Sequence, residues 1–206
     1  MLTIQANAIK TKIANEQAAT QRMFKAFRGR NHAEVDAALK DGADPNAKDA
    51  NGNPAIFAID PADTHSLVLL YKAGANMNAK NAQGFTLLQT LSDTDNFPDT
   101  LSEITPMLRA QLYRINLLLA AKANIGHLAS DLADHWGKLM ANSIGKNGNQ
   151  YLEAIDMMND EIKLVKRISR EGDKVRPTLD ELFPSPQVNG KKEQDGTVSK
   201  TKQKNR

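Results

Sequence analysis

The chain of 206 residues predicts an all-α fold, a stacked array of helical units closed by further helices at both ends. Three observations carry that prediction. Gly42-Ala43-Asp44-Pro45-Asn46-Ala47-Lys48-Asp49-Ala50-Asn51-Gly52 is echoed by Gly74-Ala75-Asn76-Met77-Asn78-Ala79-Lys80-Asn81-Ala82-Gln83-Gly84, an offset of 74 − 42 = 32 residues with seven of eleven positions identical. A period in the low thirties marks units that bury their apolar sides only against neighbours. An apolar pattern of helical spacing precedes each copy, as Val35-x-x-Ala38-Leu39 and Leu67-x-x-Leu70-Tyr71. It returns as Ile115-x-x-Leu118-Leu119 ahead of Lys122-Ala123-Asn124. Helical apolar stripes then flank this block on both sides.

In chain order, residues 3 to 28 read as a helix with Ile9, Ile13, Met23, Phe24 and Phe27 apolar; residues 1–20 form its part ahead of the repeats. The bases Lys10, Lys12, Arg22, Lys25 and Arg28 outnumber its one acid, Glu16. A mitochondrial presequence shares that composition. An array also needs a polar outer layer at each end, and a capping helix is the reading adopted. Residues 21–130 hold about three units. Gly42 and Gly74 end their helices, where a left-handed cap favours glycine, so Lys122 in the third cap is expected to be mildly strained. Asn46, Asp49, Asn78 and Asn81 are suited to bonding local backbone, and Gly52 and Gly84 turn the chain. The expected core is Leu39, Ile56, Ile59, Leu67, Leu70, Leu87, Leu88, Leu91, Ile115, Leu118 and Leu119.

The third unit is interrupted. Gly74 to Lys122 spans 122 − 74 = 48 residues, so 48 − 32 = 16 are inserted, at about 92–106. Ser92 to Thr100 is acidic and turn-rich. Residues 131–171 are assigned to C-terminal helices. One covers 127 to 143, with Leu128, Leu132, Trp136, Leu139 and Met140, and a break follows at Gly145 to Asn149. The next covers 150 to 170, with Ile155, Met158, Ile162 and Val165. They read as a cap for the array, with a helix offered to a partner as the alternative. Periodicity ends at Gly172, and residues 172–206 are expected to form a disordered basic tail. Within it, Pro177 to Pro184 is a short apolar motif with the option of docking back.

The repeated words resemble the ankyrin repeat. Asp49-x-x-Gly52 and Asn81-x-x-Gly84-x-Thr86 match the opening of that family's unit. The three Val/Leu/Ile-x-x-Ala/Leu-Leu/Tyr patterns running into Gly42-Ala43-Asp44, Gly74-Ala75-Asn76 and Lys122-Ala123-Asn124 match its second helix and loop. The resemblance covers roughly residues 20 to 130. The family's Thr-Pro-Leu-His is Pro54-Ala55-Ile56-Phe57 in one unit and Thr86-Leu87-Leu88-Gln89 in the next, so the histidine that ties neighbouring loops is missing from both. The resemblance implies a non-catalytic protein-binding module whose loop tips and first helices line a concave surface. Carried over residue by residue, the partner-binding positions are Lys48, Asn51 and Asn53 on the first loop and Lys80, Gln83 and Phe85 on the second. Phe57 and Gln89 lie adjacent, and the insert contributes Asp95, Phe97 and Asp99.

Composition narrows the alternatives. There is no cysteine, hence no disulfide frame, zinc finger or catalytic thiol. No apolar run is long enough to span a bilayer, and the N-terminus lacks the core of a secretory signal. The net charge of +3 is unevenly placed. From Pro184 onward six bases and two acids give +4, which leaves 3 − 4 = −1 for the rest. Tail lysines are the groups that would meet nucleic acid or anionic lipid, but no aromatics are interleaved for base stacking, and a solubilising or targeting tail is the reading adopted. His127, Asp131 and His135 fall at i, i+4 and i+8 of a predicted helix, a spacing open to a metal, yet one helix rarely supplies every ligand. No phosphate-binding glycine loop or nucleophile elbow is present. Asp160 and Glu161 read as a solvated pair. The function expected is binding of a protein partner without cofactor, metal or small-molecule substrate, in a cytoplasmic protein. The alternatives are a bacterial effector delivered into a host cytosol on a C-terminal signal, a regulatory subunit of an enzyme, and an enzyme using the cluster at residues 127–135.

Overall fold

The computed structural model describes residues 2–91, 101–147 and 152–182, with the backbone alone at 2–3, 101–106 and 139–147. In it the 32-residue echo is a repeat of bonds as well as of letters. Asn31 Oδ1 accepts from Glu34 N at 3.1 Å and starts helix α2 (His32–Lys40); Asp63 Oδ1 accepts from Ser66 N at 3.0 Å and starts α3 (Thr64–Lys72). A cap of this kind satisfies a backbone donor that the helix itself leaves orphaned. Helix α2 ends on Gly42 at φ 94°, where the N–H groups of Gly42 and Ala43 donate to the carbonyls of Leu39 and Ala38. Helix α3 ends in the same way on Gly74 at φ 90°, with Tyr71 and Leu70 accepting. The helix α5 (Leu101–Ala120) repeats both bonds at Lys122 and Ala123, so Lys122 is held at φ 57°. A side chain in this left-handed region costs roughly 1 kcal/mol.

Two tight hairpins follow the first two caps. In one, Asp49 N donates to Asn53 O at 2.8 Å; in the other, Asn81 N donates to Phe85 O at 2.8 Å. Asp49 Oδ1 accepts from the N–H groups of Asn51 and Asn53, and Asn81 Oδ1 accepts from those of Gln83 and Phe85. An Asx side chain in this role rigidifies the turn from within.

The longer helices stack in series. Helix α1 (Leu2–Arg28) packs on α2, α2 on α3, α3 on α5, α5 on α7 (Leu152–Glu171), and α7 on α6 (Leu128–Asn147). Met23 and Phe27, Val35, Leu67 and Leu70, Ile115 and Leu118, Trp136 and Val165 are each buried along this line. Among the described residues the secondary structure is helical, with no strand. Ile56, Ile59, Leu87 and Leu88 are buried as expected, whereas Leu39 and Leu91 are only half-buried against the core. No helix among the described residues is long and apolar enough to cross a membrane.

Four expectations are corrected. The inner helices shrink to single turns, a 3-10 turn at Ala55–Phe57 and the helix α4 at Leu87–Thr90. In the first case Pro61 disfavours a helical Asp60, and Asp60 Oδ1 instead accepts from Ala62 N at 2.8 Å. The inserted stretch is in part helix, because α5 already begins at Leu101; residues 92–100 lie outside the described residues. The chain from 172 does not begin a disordered tail. Gly172–Val175 forms a 3-10 turn and α8 (Leu179–Leu182) packs on α5. Arg176 between them donates to the carbonyls of Leu119 and Ala123, both at 3.1 Å. The last carbonyls of a helix lack partners within it, and Arg176 gives Leu119 O, which already accepts from Lys122 N, a second donor at the end of α5. Residues 183–206 lie outside the described residues. Helix α6 also runs past Gly145 to Asn147.

Candidate functional site

Successive loops are tied by a ladder of side chains. Thr20 Oγ1 on α1 accepts from Asp44 N at 3.0 Å. Asn46 Oδ1 accepts from Asn76 N at 2.7 Å while its Nδ2 donates to Gly74 O at 3.3 Å. Asn78 Oδ1 accepts from Asn124 N at 2.6 Å, and Asn53 Oδ1 accepts from Ala82 N at 3.0 Å. These bonds link each loop to the next where no histidine is available to do so. The signal was present in the sequence as asparagines at matching places in the two echoes, but their partners one unit away were not legible.

The ladder separates the partner-binding candidates into two groups. Lys48, Asn51, Lys80 and Gln83 are exposed on the hairpins, and Phe85 leaves 53% of its surface in solvent. The other three carry structural bonds or packing, although Gln89 is exposed as well. Asn53 is half-buried and holds Ala82 N. Phe57 is half-buried against the core. Gln89 Oε1 accepts from the N–H and hydroxyl of Thr86, whose Oγ1 accepts from Gln89 N, closing a capping box on α4. Asp95, Phe97 and Asp99 lie outside the described residues.

Two buried polar groupings escaped the sequence reading. At the N-terminus of α3, Asp63 accepts from Ser66 Oγ at 2.6 Å and bonds His32 Nε2 at 2.8 Å. Burial pushes its carboxyl up, and the Ser66 bonds and the neighbouring His32 outweigh that, so it sits below its ordinary value. The ring of His65 lies 4.7 Å from that of His32, centre to centre. Arg30 pairs with Asp60 at 2.8 Å, and Arg114 from α5 donates to Asp60 O at 2.9 Å. Burial brings the Arg114 guanidinium down to about 10, against the pull of Asp60 and Asp63, so it remains a cation at neutral pH. The second grouping is on α7. Glu161 is 6% exposed, not solvated as expected, and its Oε2 accepts from Asn116 Nδ2 at 2.8 Å. Its Oε1 is buried without a hydrogen-bond partner, and burial raises the carboxyl to about 7. Asp160 beside it is exposed and pairs with Lys163. The spacing from Met158 to Glu161 to Val165 places Glu161 on the apolar stripe, a signal that the charged neighbourhood masked.

The His127 cluster does not assemble a ligand set. His127 precedes α6 and is exposed, and His135 Nδ1 lies 2.8 Å from the Asp131 carbonyl. Among the described residues no three His, Cys, Asp or Glu side chains converge as metal ligands. What the exposed hairpins offer instead is a row of side chains on a backbone already fixed by its own hydrogen bonds. No protein-family model, curated protein or solved structure matches the chain.

Proposed function

We infer that the protein is an ankyrin-like helical array whose work is to bind another protein, without a reaction of its own. The observation that carries this reading is the bond-for-bond repetition of the two hairpins, each presenting exposed side chains on a braced turn. Residues ordered before binding lose little freedom when a partner arrives, so their contacts contribute to affinity at low cost. Lys48, Asn51, Lys80, Gln83 and Phe85 are the contacts proposed, with Asn53, Phe57 and Gln89 supporting them from behind.

The test compares two variants of the full chain in affinity capture with mass spectrometry. Lys48, Lys80 and Gln83 changed together to alanine should leave the melting point almost unchanged, with stability within about 1 kcal/mol as for surface substitutions. The same variant should lose most of the partner recovered by the unmodified chain. Deletion of residues 92–100 should not. The opposite pattern moves the contact to the insert, and no change in either variant removes the hairpins from the interface.

A further inference from the structure

The register of the repeats runs on past the third unit. Val165-x-x-Ile168-Ser169-x-x-Gly172 on α7 keeps the spacing of Val35-x-x-Ala38-Leu39-x-x-Gly42, with Val165 and Ile168 buried and Gly172 at φ 74°. Helix α6 packs on α4, α7 packs on α5, and the two pack on each other, so this pair continues the stack. The position four residues after each cap is Asn46, Asn78, Gly126 and Arg176 in turn. Asn46 and Asn78 each hold a backbone N–H of the following loop. Gly126 has no side chain to do so, and Arg176 reaches back instead, to Leu119 O and Ala123 O. The seam between α5 and α7 therefore lacks the loop rung found at the earlier ones.

A buried carboxyl lies in that seam. Glu161 Oε2 on α7 accepts from Asn116 Nδ2 on α5, and Oε1 is buried without a hydrogen-bond partner. Asn116 Nδ2 also donates to Leu112 O at 3.0 Å, so it does not depend on Glu161. The charged groups of the neighbouring elements are engaged elsewhere. On α5, Arg109 pairs with Glu153 and Arg114 donates to Asp60 O. On the turn after α7, Asp173 pairs with Arg176 and Lys122. On α7 itself, Asp160 pairs with Lys163 and Arg167 with Glu171. The other ionisable side chains described on α6 and that turn are Asp131, Asp134, His135, Lys138 and Lys174. None of them moves the Glu161 carboxyl, which burial pushes up and the Asn116 bond pulls back in part.

We propose that α6 and α7 are a fourth unit whose docking on the third is controlled by pH through Glu161. Protonated, the carboxyl rests against Asn116 as a neutral group. Ionised in place, it is a buried charge with one oxygen unbonded, which is strongly disfavoured. Parting α7 from α5 returns the carboxylate to water, and its proton passes to solvent. The carboxyl is raised from 4.5 to about 7 in the docked unit and regains its ordinary value in the undocked one. The undocked form therefore gains about tenfold per pH unit between those values, and no further above them. The balance moves from four docked units toward three as pH rises through that window. The extent of surface that a partner meets changes with it, whichever residues make the contact.

Hydrogen exchange of the full chain, corrected for the intrinsic effect of pH, tests this without denaturant. Amides of α6 and α7 should lose protection together, at least tenfold from pH 5 to pH 8, while those of α2 and α3 remain the better protected at pH 8. Glu161→Gln should remove the fall. Glu161→Met should do the same without a polar group, since Asn116 keeps its Leu112 bond. His127→Asn combined with His135→Asn should leave the fall in place. Protection that does not change with pH overturns the proposal, as does a fall confined to one of the two helices. So does a fall that persists in a folded Glu161 variant or disappears with the histidine change. Equal exchange of α2, α3, α6 and α7 at pH 8 overturns it too, because the chain then opens as a whole.

Discussion

The two halves of this molecule are held together by different means. From Asn31 to Thr86 the helices are short, nine residues in α2 and α3 and a single turn at Ala55–Phe57. The bonds that set register there run from side chain to backbone across hairpins, through Asn46, Asn53 and Asn78. From Leu101 onward three helices of 20 residues each do the packing. They bury large side chains and trap polar ones with them: the Nε of Arg114, the Nε1 of Trp136 and one oxygen of Glu161 have no hydrogen-bond partner among the described residues. A bonded ladder fixes the loops without covering them and leaves the tips free for contact. Long packed helices gain more buried area and carry the cost of desolvated charge.

The largest test asks whether the halves unfold together. Trp136→Ala in the second half should cost about 3–5 kcal/mol and Leu70→Ala in the first about 2–5 kcal/mol, since both side chains are fully buried. The helices pack in one continuous series, so each change should lower one common melting transition. Two separated transitions in calorimetry would divide the chain into independent halves.

Next in size is a pH effect confined to the second half. The Glu161 carboxyl is raised from 4.5 to about 7 by burial. Between those values the unfolded chain releases a proton that the folded chain keeps, so stability falls as pH rises. The contribution is complete below about 4.5 and gone above about 7, a change of roughly 3 kcal/mol. Urea titrations across that range should show the loss, and Glu161→Gln should flatten it while Leu70→Ala leaves the slope in place.

The same chemical deletion made in each half gives a smaller and sharper comparison. Asn116→Ala strands a buried carboxyl and should cost about 2 kcal/mol, whereas Asn46→Ala removes two exposed bonds that water can replace and should cost about 1 kcal/mol. Equal losses in denaturant melts would mean that the ladder is as dry as the helix interface. The smallest expected effect is a gain: Lys122→Gly should add about 1 kcal/mol by relieving the left-handed backbone, as a rise in melting temperature.

The first half was more legible than the second for a physical reason. Its structure is local, and local bonds leave local signatures: glycines at the caps of α2 and α3, Asp49 and Asn81 inside the hairpins. The strain at Lys122 could be read in the same way, by alignment with Gly42 and Gly74. Long-range choices left no such mark. Nothing in the letters around Arg176 says that it reaches Leu119 and Ala123, and a run of charges around Glu161 looked solvated although its spacing placed it inside. The exposed candidates Lys48, Asn51, Lys80, Gln83 and Phe85 followed from the hairpin pattern. Asn53 and Phe57 are half-buried, and Gln89 stays exposed while closing the cap of its own helix, details of packing and capping that residue spacing does not give.

Thr20 decides where the chain can be lengthened. Its hydroxyl occupies, for Asp44 N, the place that Asn46 fills for Asn76 N and Asn78 for Asn124 N. Helix α1 therefore stands where a preceding loop would be, and a unit added in front of Asp44 would find its docking position taken. Lengthening has to happen between units. A tandem duplication of residues 43–74, placed after Gly74, would supply a second Asp44 for the first Asn46 and a second Asn46 for Asn76, closing every rung. Such a chain should fold as one body with helical ellipticity raised in proportion to the added residues, whereas the same segment fused ahead of α1 should melt separately or remain unstructured.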